Sequence, residues 1–167
     1  SSTLSNANFR GHDFGAAQCI DGETGSDGTW NFCMSSNLYE AGPWLSLALP
    51  QGSTVRTVSV HARHDWGADK LATFEVWVGS VPGSPSTSAG AVQCGGMTAP
   101  ATVGPHTVTC APAPFEGSYV TLVLPGTRRL LAIAEVTVLV LQVSYRCVHR
   151  RRRRHVPRHR RHCLRQM

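Results

Sequence analysis

Few residues in this 167-residue chain have both the type and the spacing that catalysis requires. Serine, histidine and aspartate do not occur together in a motif that supports nucleophilic catalysis. Asp65 and Asp69 come nearest to an acid–base pair, but Arg63 and Lys70 flank them, and a cation-rich loop is unlike the dry carboxylate pair of a glycosidase. The histidines before residue 143 lack zinc-ligand spacing. These patterns do not support catalysis, and we therefore do not expect an enzyme.

Cysteine usage indicates an oxidising compartment. The chain has six cysteines, and none lies in a Cys-x-x-Cys pair of the kind that binds zinc or forms a thioredoxin-like site. We therefore expect disulfides and a secreted or extracellular protein. The longest apolar stretch, residues 130–143, is interrupted by Glu135 and is shorter than the roughly 20 residues that cross a bilayer, so we expect no transmembrane segment.

The charges are divided unevenly along the chain. Before residue 143 there are ten acidic residues and six arginines or lysines, whereas the last 25 residues contain ten arginines and no carboxylate. We therefore expect a mildly acidic domain, residues 1–142, without a nucleic-acid partner, and an Arg/His-rich disordered tail, residues 143–167. Such a tail could bind heparin-like glycans or other anionic partners, or be the translated product of an unspliced or frame-shifted gene end.

Short β-branched runs separated by Gly, Pro and Ser predict an all-β domain. In residues 54–63, Val58, Val60 and Ala62 alternate with polar residues, which is typical of a strand with one buried face. The same alternation recurs in residues 71–79. Further strands are predicted at residues 44–49, 91–94, 106–110, 118–124 and 130–141. Since amphipathic helices are absent from the pattern, it favours two antiparallel sheets packed face to face.

A long segment, residues 11–37, has few strand signals but carries two cysteines and several carboxylates. A loop of this length inside a compact domain is usually either functional or disordered. The two cysteines favour an ordered, functional loop.

A series of short motifs, taken in order, gives the chain a family resemblance. The series consists of AQCIDG (17–22), Cys33, PWL (43–45), RHDWGADKL (63–71), FEVWVG (74–79), CG (94–95), Cys110, GSYV (117–120) and AEV (134–136). In order and spacing, these motifs resemble the F-type lectins (fucolectins), within the wider group of discoidin-like (F5/8 type C) domains. The resemblance covers residues 15–140 and implies a jelly-roll β-sandwich of two antiparallel sheets, stapled by disulfides.

The resemblance implies a sugar site at an Arg-x-Asp-x4-Arg/Lys motif, which Arg63, Asp65 and Lys70 match. Two cationic donors aimed at adjacent ring hydroxyls can distinguish an axial from an equatorial oxygen, because charged hydrogen bonds are about twice as strong as neutral ones. The carboxylate between them would hold the guanidinium in place. The alternative is a surface Arg63–Asp65 pair with no measurable effect.

Two positions near this motif depart from the family pattern. The family has a histidine two residues after the second loop cysteine, where this chain has Ser35, so a hydroxyl would replace the imidazole unless His64 does so. Relatives often place a vicinal disulfide against the apolar face of the sugar. Here Trp66 occupies that place, and its indole could form the platform. The alternative for Trp66 is a plug at the end of the sandwich.

The resemblance also implies a structural Ca²⁺ ion. Asp21 and Glu135 match the family's two carboxylate ligands, and backbone carbonyls of Gln18, Glu23 and Phe32 could complete much of the six to eight oxygens that calcium takes. Phe32 stands where the family has a serine whose hydroxyl is a ligand, so one oxygen is missing. The alternative is that Asp21 caps its own turn and Glu135 pairs with an arginine.

The disulfide pairing follows from the same resemblance. Cys94 and Cys110 match a family pair. The usual partner of Cys33 would stand at Ala134, which leaves Cys33 to pair with Cys19. Closing a loop of about 15 residues contributes about 3 kcal/mol in the chain-entropy model.

The function that the resemblance implies is calcium-dependent binding of fucose, or a related sugar, through a shallow site in the loops. The expected partners are glycans that bear fucose, bound by a domain that gains strength from multivalent assembly or tandem copies. The alternative is a structural adhesion or protein-interaction module that keeps the discoidin-like sandwich and has lost sugar binding, as the missing histidine would allow.

Overall fold

The computed structural model describes residues 14–25, 30–35, 39–64, 67–83, 90–99, 101–112, 114–142, 145–148 and 162–165. Regular structure in these residues is almost entirely β. The strands are β1 (Cys33–Met34), β2 (Trp44–Ala48), β3 (Ser53–Ala62), β4 (Thr73–Gly79), β5 (Val92–Thr98), β6 (His106–Thr109), β7 (Phe115–Glu116), β8 (Tyr119–Val123), β9 (Ala132–Gln142), β10 (Tyr145–Val148) and β11 (His162–Arg165). Two short 3₁₀ helices cover Ala16–Cys19 and Ala68–Lys70.

Two antiparallel sheets form the domain. One has the strand order β1-β9-β3-β6, with β7 also paired to β3, and the other has the order β2-β8-β4-β5. Every strand pairing within the described ranges is antiparallel. The predicted two-sheet sandwich is therefore confirmed.

The core lies between the two sheets and follows the alternation of the sequence. Val58, Val60 and Ala62 of β3 are buried, as are alternate residues of β4 beginning at Phe74. Each buried valine, leucine or phenylalanine contributes about 1.5–3 kcal/mol relative to an exposed one. The inward faces that the sequence predicts are thus the faces that hold the sheets together.

Two disulfides staple the sandwich, one in the pairing that the resemblance implies and one in the alternative pairing expected where this chain departs from the family. Cys94 on β5 is bonded to Cys110, just after β6, with 4.5 Å between the Cα atoms. Because β5 and β6 are the edge strands of different sheets, this bond closes one side of the sandwich. Cys19 is bonded to Cys33, with 5.2 Å between the Cα atoms, and so ties the first 3₁₀ helix to β1.

Four short strands were not predicted from the sequence, while the disorder of the tail stays a prediction. The two-residue strands β1 and β7 were not expected, because two residues are too few to show an alternation. Strands β10 and β11 pair inside the segment for which disorder was expected, with Cys147 opposite Cys163. Arginines outnumber strand-forming residues such as Tyr145 and Val148 in this segment, and the rest of the tail lies outside the described residues. In the described part of the chain, no helix has the length and apolar character to cross a membrane.

Three strands end side by side and position the candidate site. Cys33 of β1 is paired with Ile133 of β9, and Ile133 is paired with Ala62 at the end of β3. Phe32 comes directly before β1 and Arg63 directly after β3. Since side chains alternate across a sheet, Phe32 and Arg63 lie on the face opposite to Cys33, Ile133 and Ala62.

Candidate functional site

Arg63 is buried against an aromatic ring. Only 5% of the residue is exposed, and its Cζ atom lies 3.7 Å from the centroid of the Phe32 ring. One strand, β9, separates β1 from β3, so the arginine side chain reaches across that strand to the ring. A guanidinium over a ring face is held by cation–π attraction. One face of the guanidinium is therefore covered, and its N–H edge points away from the ring.

Lys70 lies near Arg63, at the end of the second 3₁₀ helix. Its Nζ donates a hydrogen bond to Asp69 Oδ2 at 2.9 Å, which is the main reason that the pKa of Lys70 is raised. Attraction to Asp69 and Tyr39 adds to this rise, while desolvation and the charge of Arg63 oppose it. The same hydrogen bond lowers the pKa of Asp69. The structure therefore brings the two predicted cations within electrostatic reach of each other.

The carboxylate that is hydrogen-bonded to Lys70 is that of Asp69, the residue directly before it in the sequence. This pair is solvent-accessible, and such pairs contribute about 0–1 kcal/mol. A ligand could displace Asp69 at little cost.

Arg129 fixes the backbone of the loop that carries Lys70, a role that sequence reasoning missed. Its Nη2 donates to the carbonyl oxygens of Leu71 and Thr73 at 2.9 and 3.0 Å, and its Nη1 donates to Pro125 at 2.7 Å. Burial lowers the pKa of its guanidinium. The adjacent Arg128 is exposed and lies 6.0 Å from the Tyr39 ring. Two consecutive arginines give no sequence signal that one points inward.

Two exposed aromatic side chains flank the cations and were also missed. Trp30 is 41% exposed, and its ring centroid lies 6.3 Å from that of Phe32. Tyr39 is 53% exposed and close enough to Lys70 to influence its pKa. Aromatic faces beside charged donors suit a ligand with both apolar and hydroxyl-bearing surfaces. The alternation of Trp30 and Phe32 before Cys33 was the available signal.

The remaining predicted sugar contacts have different outcomes. Ser35 is 2% exposed, and its Oγ has no hydrogen-bond partner in the described part of the chain. Its backbone N–H donates to the Leu131 carbonyl at 2.9 Å. The structure thus does not join the Ser35 hydroxyl to Arg63 or Lys70. Asp65 and Trp66 lie outside the described residues, so their roles stay predictions.

The acidic loop, which is the described part of residues 11–37, contacts strand β9 at Glu135. This residue is 6% exposed, and its Oε2 accepts a hydrogen bond from the backbone N–H of Gly22 at 3.1 Å. Burial raises the pKa of Glu135, and the charge of Asp21 raises it further, against the backbone donors of Gly22 and Asp21. A buried carboxylate beside a second carboxylate takes up a proton more readily than usual, unless a cation balances the charge.

The alternative to a calcium site was that Asp21 caps its own turn and Glu135 pairs with an arginine, and the structure shows the first of these two features. Asp21 Oδ1 accepts a hydrogen bond from the Glu23 backbone N–H at 2.9 Å, so Asp21 does cap its own turn. Among the described side chains, however, none that is basic is paired with Glu135. Groups of three or more His, Cys, Asp or Glu side chains suited to a metal are also absent from the described residues. Within the described part of the chain, further ligands would therefore be carbonyl or amide oxygens.

The three residues predicted to offer carbonyl ligands lie in this same loop. Gln18 belongs to the first 3₁₀ helix, Glu23 follows the Asp21 turn, and Phe32 precedes β1. Their coordination of an ion stays a prediction. The structure adds that the Phe32 side chain has a separate contact, with Arg63.

Comparison with known proteins gives matches only to solved structures. Neither a protein-family model nor a curated protein matches the sequence. An F-lectin (fucolectin) from the serum of striped bass, Morone saxatilis, matches with a TM-score of 0.67 and 25% sequence identity. The match covers 82% of this chain and 45% of the bass lectin. The chain thus spans about half the length of that lectin.

Two further solved structures match at lower identity. The lectin domain of lectinolysin, complexed with Lewis B antigen, has a TM-score of 0.60 and 18% identity, over 83% of this chain and 96% of that domain. A fucose-binding module from Streptococcus pneumoniae has a TM-score of 0.57 and 15% identity, over 77% of this chain and 87% of that module.

Proposed function

We propose that this chain, which has the discoidin-like fold of F-type lectins, is a carbohydrate-binding domain that holds a fucose-containing glycan at Arg63 and Lys70. Three of the matched structures are named as a fucolectin, a lectin domain with Lewis B antigen and a fucose-binding module. These names support a saccharide ligand. The choice of fucose rests on the same names and on the two cations.

The observation that carries the proposal is the burial of Arg63 beside Lys70 at the loop end of the sandwich. Taking a cationic group out of water is unfavourable unless other groups compensate. Phe32 supplies part of that compensation, whereas the nearby positive charge of Lys70 adds to the cost. Paired cationic donors with an exposed aromatic such as Tyr39 beside them suit the hydroxyls and the apolar face of a sugar.

Glycan-array binding of Lys70→Gln and Arg63→Lys tests the site. Glutamine keeps most of the lysine side-chain length without its charge, and lysine keeps the charge at position 63 without the planar donor edge. We expect each variant to lose most of the array signal of the parent. Arg56→Gln is the matched control, because Arg56 is an exposed cation in the middle of β3 and should bind like the parent. Parent-like binding by both site variants would place the ligand elsewhere.

We further propose that Ca²⁺ binds between Asp21 and Glu135 and ties the acidic loop to β9. The positive charge of the ion would balance the negative charges of these two carboxylates. The Cys19–Cys33 disulfide and the Gly22–Glu135 hydrogen bond hold the same loop, so the protein alone already orders much of it. We therefore expect calcium to add stability to a loop that is largely formed.

Melting of EDTA-treated protein with added CaCl₂ tests the ion. A ligand present at 100 times its dissociation constant stabilises the folded state by about 2.7 kcal/mol. We expect a calcium-dependent rise in Tm for the parent and none for Glu135→Gln. Glu23→Gln keeps the backbone carbonyl and should respond like the parent. A parent Tm that calcium does not change would exclude this site.

A second candidate function is an adhesion or interaction module without sugar binding. It is favoured by the buried Ser35 hydroxyl, which is not joined to the cations, and by the pairing of Lys70 with Asp69. The glycan array with and without calcium separates the two functions, because the adhesion module would give no saccharide signal under either condition. The disulfides favour an extracellular location for both. Tandem or multivalent assembly would strengthen a weak monosaccharide site.

A further inference from the structure

Two stacked aromatic rings and a guanidinium group lie one above another on the outer face of the five-stranded sheet. The Arg63 guanidinium lies 3.7 Å above the Phe32 ring, and the Phe32 ring stacks on Phe14 at 4.6 Å between centroids with 24° between planes. Phe14 and Phe32 form a small buried cluster with Met34 and Ala132, separate from the main core. The arginine is thus the top layer of an aromatic stack.

The backbone fixes both rings of this stack. Phe32 is followed by Cys33, which is bonded to Cys19 and paired with Ile133 of β9. The carbonyl of Phe14 accepts a hydrogen bond from the backbone N–H of Met34 at 3.0 Å. A ring held on a disulfide-bonded strand has little freedom to shift. The Phe32 ring therefore gives the Arg63 guanidinium a fixed surface to pack on.

We propose that Phe32 is a positioning residue that fixes the plane of the Arg63 guanidinium, so that its N–H edge meets ligand hydroxyls in one orientation relative to Lys70. This inference rests on the proposed function of Arg63 as a glycan contact. An arginine ordered before binding spares the complex the entropy of ordering it, and this raises both affinity and selectivity. The covered face also prevents any ligand ring from stacking on that side.

Phe32→Leu removes the ring and keeps an apolar side chain. In the ligand-free protein, we expect the Arg63 Nε–Hε signal of a ¹H–¹⁵N NMR spectrum to be displaced by the ring current. The signal should return to the normal arginine position in Phe32→Leu and stay displaced in Phe32→Tyr. Met34→Leu is the matched control, because Met34 belongs to the same cluster without contacting the guanidinium through a ring. An undisplaced parent signal, or one that Phe32→Leu leaves unchanged, overturns the inference.

Fucose titration of the same variants by calorimetry gives the second measurement. We expect Phe32→Leu to bind roughly 3- to 10-fold more weakly than the parent, as the cost of ordering one long side chain implies. Phe32→Tyr should restore affinity, and Met34→Leu should bind like the parent at a similar Tm. Equal weakening by Phe32→Leu and Met34→Leu would reduce Phe32 to a packing residue and refute the inference. If the parent protein binds no glycan, the proposed function is refuted, and so is the role of Phe32 in orienting Arg63 toward a ligand. The NMR measurement then decides separately whether Phe32 holds Arg63 in the ligand-free protein.

Discussion

Replacing Arg129 with leucine removes the side chain that holds the Lys70 loop against residues 125–129. Four carbonyl oxygens, those of Pro125, Leu71, Thr73 and Lys70, would lose a charged donor at 2.7, 2.9, 3.0 and 3.4 Å. A hydrogen bond to a charged group contributes about 1.5–3 kcal/mol net. Because the site is half-buried, water would replace part of what is lost. We therefore expect the free energy of unfolding to fall by about 3 kcal/mol.

Urea denaturation followed by tryptophan fluorescence measures this loss directly. In a domain of this size, about 3 kcal/mol corresponds to a drop in Tm of roughly 6–12 °C. Arg128→Leu is the matched control, because Arg128 is the exposed neighbour, and its effect should stay within about 0.5 kcal/mol. A difference of less than about 1 kcal/mol between the two variants would refute the anchoring role of Arg129. Glycan binding should also weaken in Arg129→Leu, since the backbone of Lys70 would lose its support.

Three further predictions concern the rest of the domain. Burial lowers the pKa of His61, and the charges of His106 and His64 lower it further. The imidazole of His61 is therefore protonated near pH 6.5 in the unfolded chain but only at lower pH in the folded chain. Stability should fall as the pH drops below 6.5, and His61→Gln should flatten this fall in urea titrations; parallel curves would contradict it. Replacing Cys94 and Cys110 with alanine should lower stability by about 3 kcal/mol, as measured by calorimetry, and an unchanged Tm would count against the bond as a staple. Gly96→Ala places a Cβ 2.8 Å from the Phe74 carbonyl oxygen and should cost about 1–3 kcal/mol in urea denaturation, whereas Gln93→Ala on the same strand should cost almost nothing.

The sequence determined the sandwich and its inward faces. Alternation with a period of two depends only on the order of residues, so Val58 and Val60 of β3 and the run from Phe74 in β4 could be assigned to the core without coordinates. Strands β1 and β7 were not predicted, because a strand of two residues is too short to show an alternating pattern. The paired strands β10 and β11 escaped because an arginine-rich composition hides a few strand-forming residues.

The sequence also located the candidate site but not the way its side chains are used. Arg63 and Lys70 were found through the order and spacing of a family motif, which is a local property of the chain. Tertiary structure decided that Arg63 is covered by Phe32, that Asp69 pairs with Lys70, and that Arg129 supports their loop.

The physical reason is that these contacts join distant parts of the chain. Phe32 and Arg63 are 31 positions apart in sequence, and Leu71 and Arg129 are 58 positions apart. Such pairs meet only because β1, β9 and β3 end at the same place and because one loop folds against another. The residue types set which interactions were possible, and the strand order selected the ones that formed.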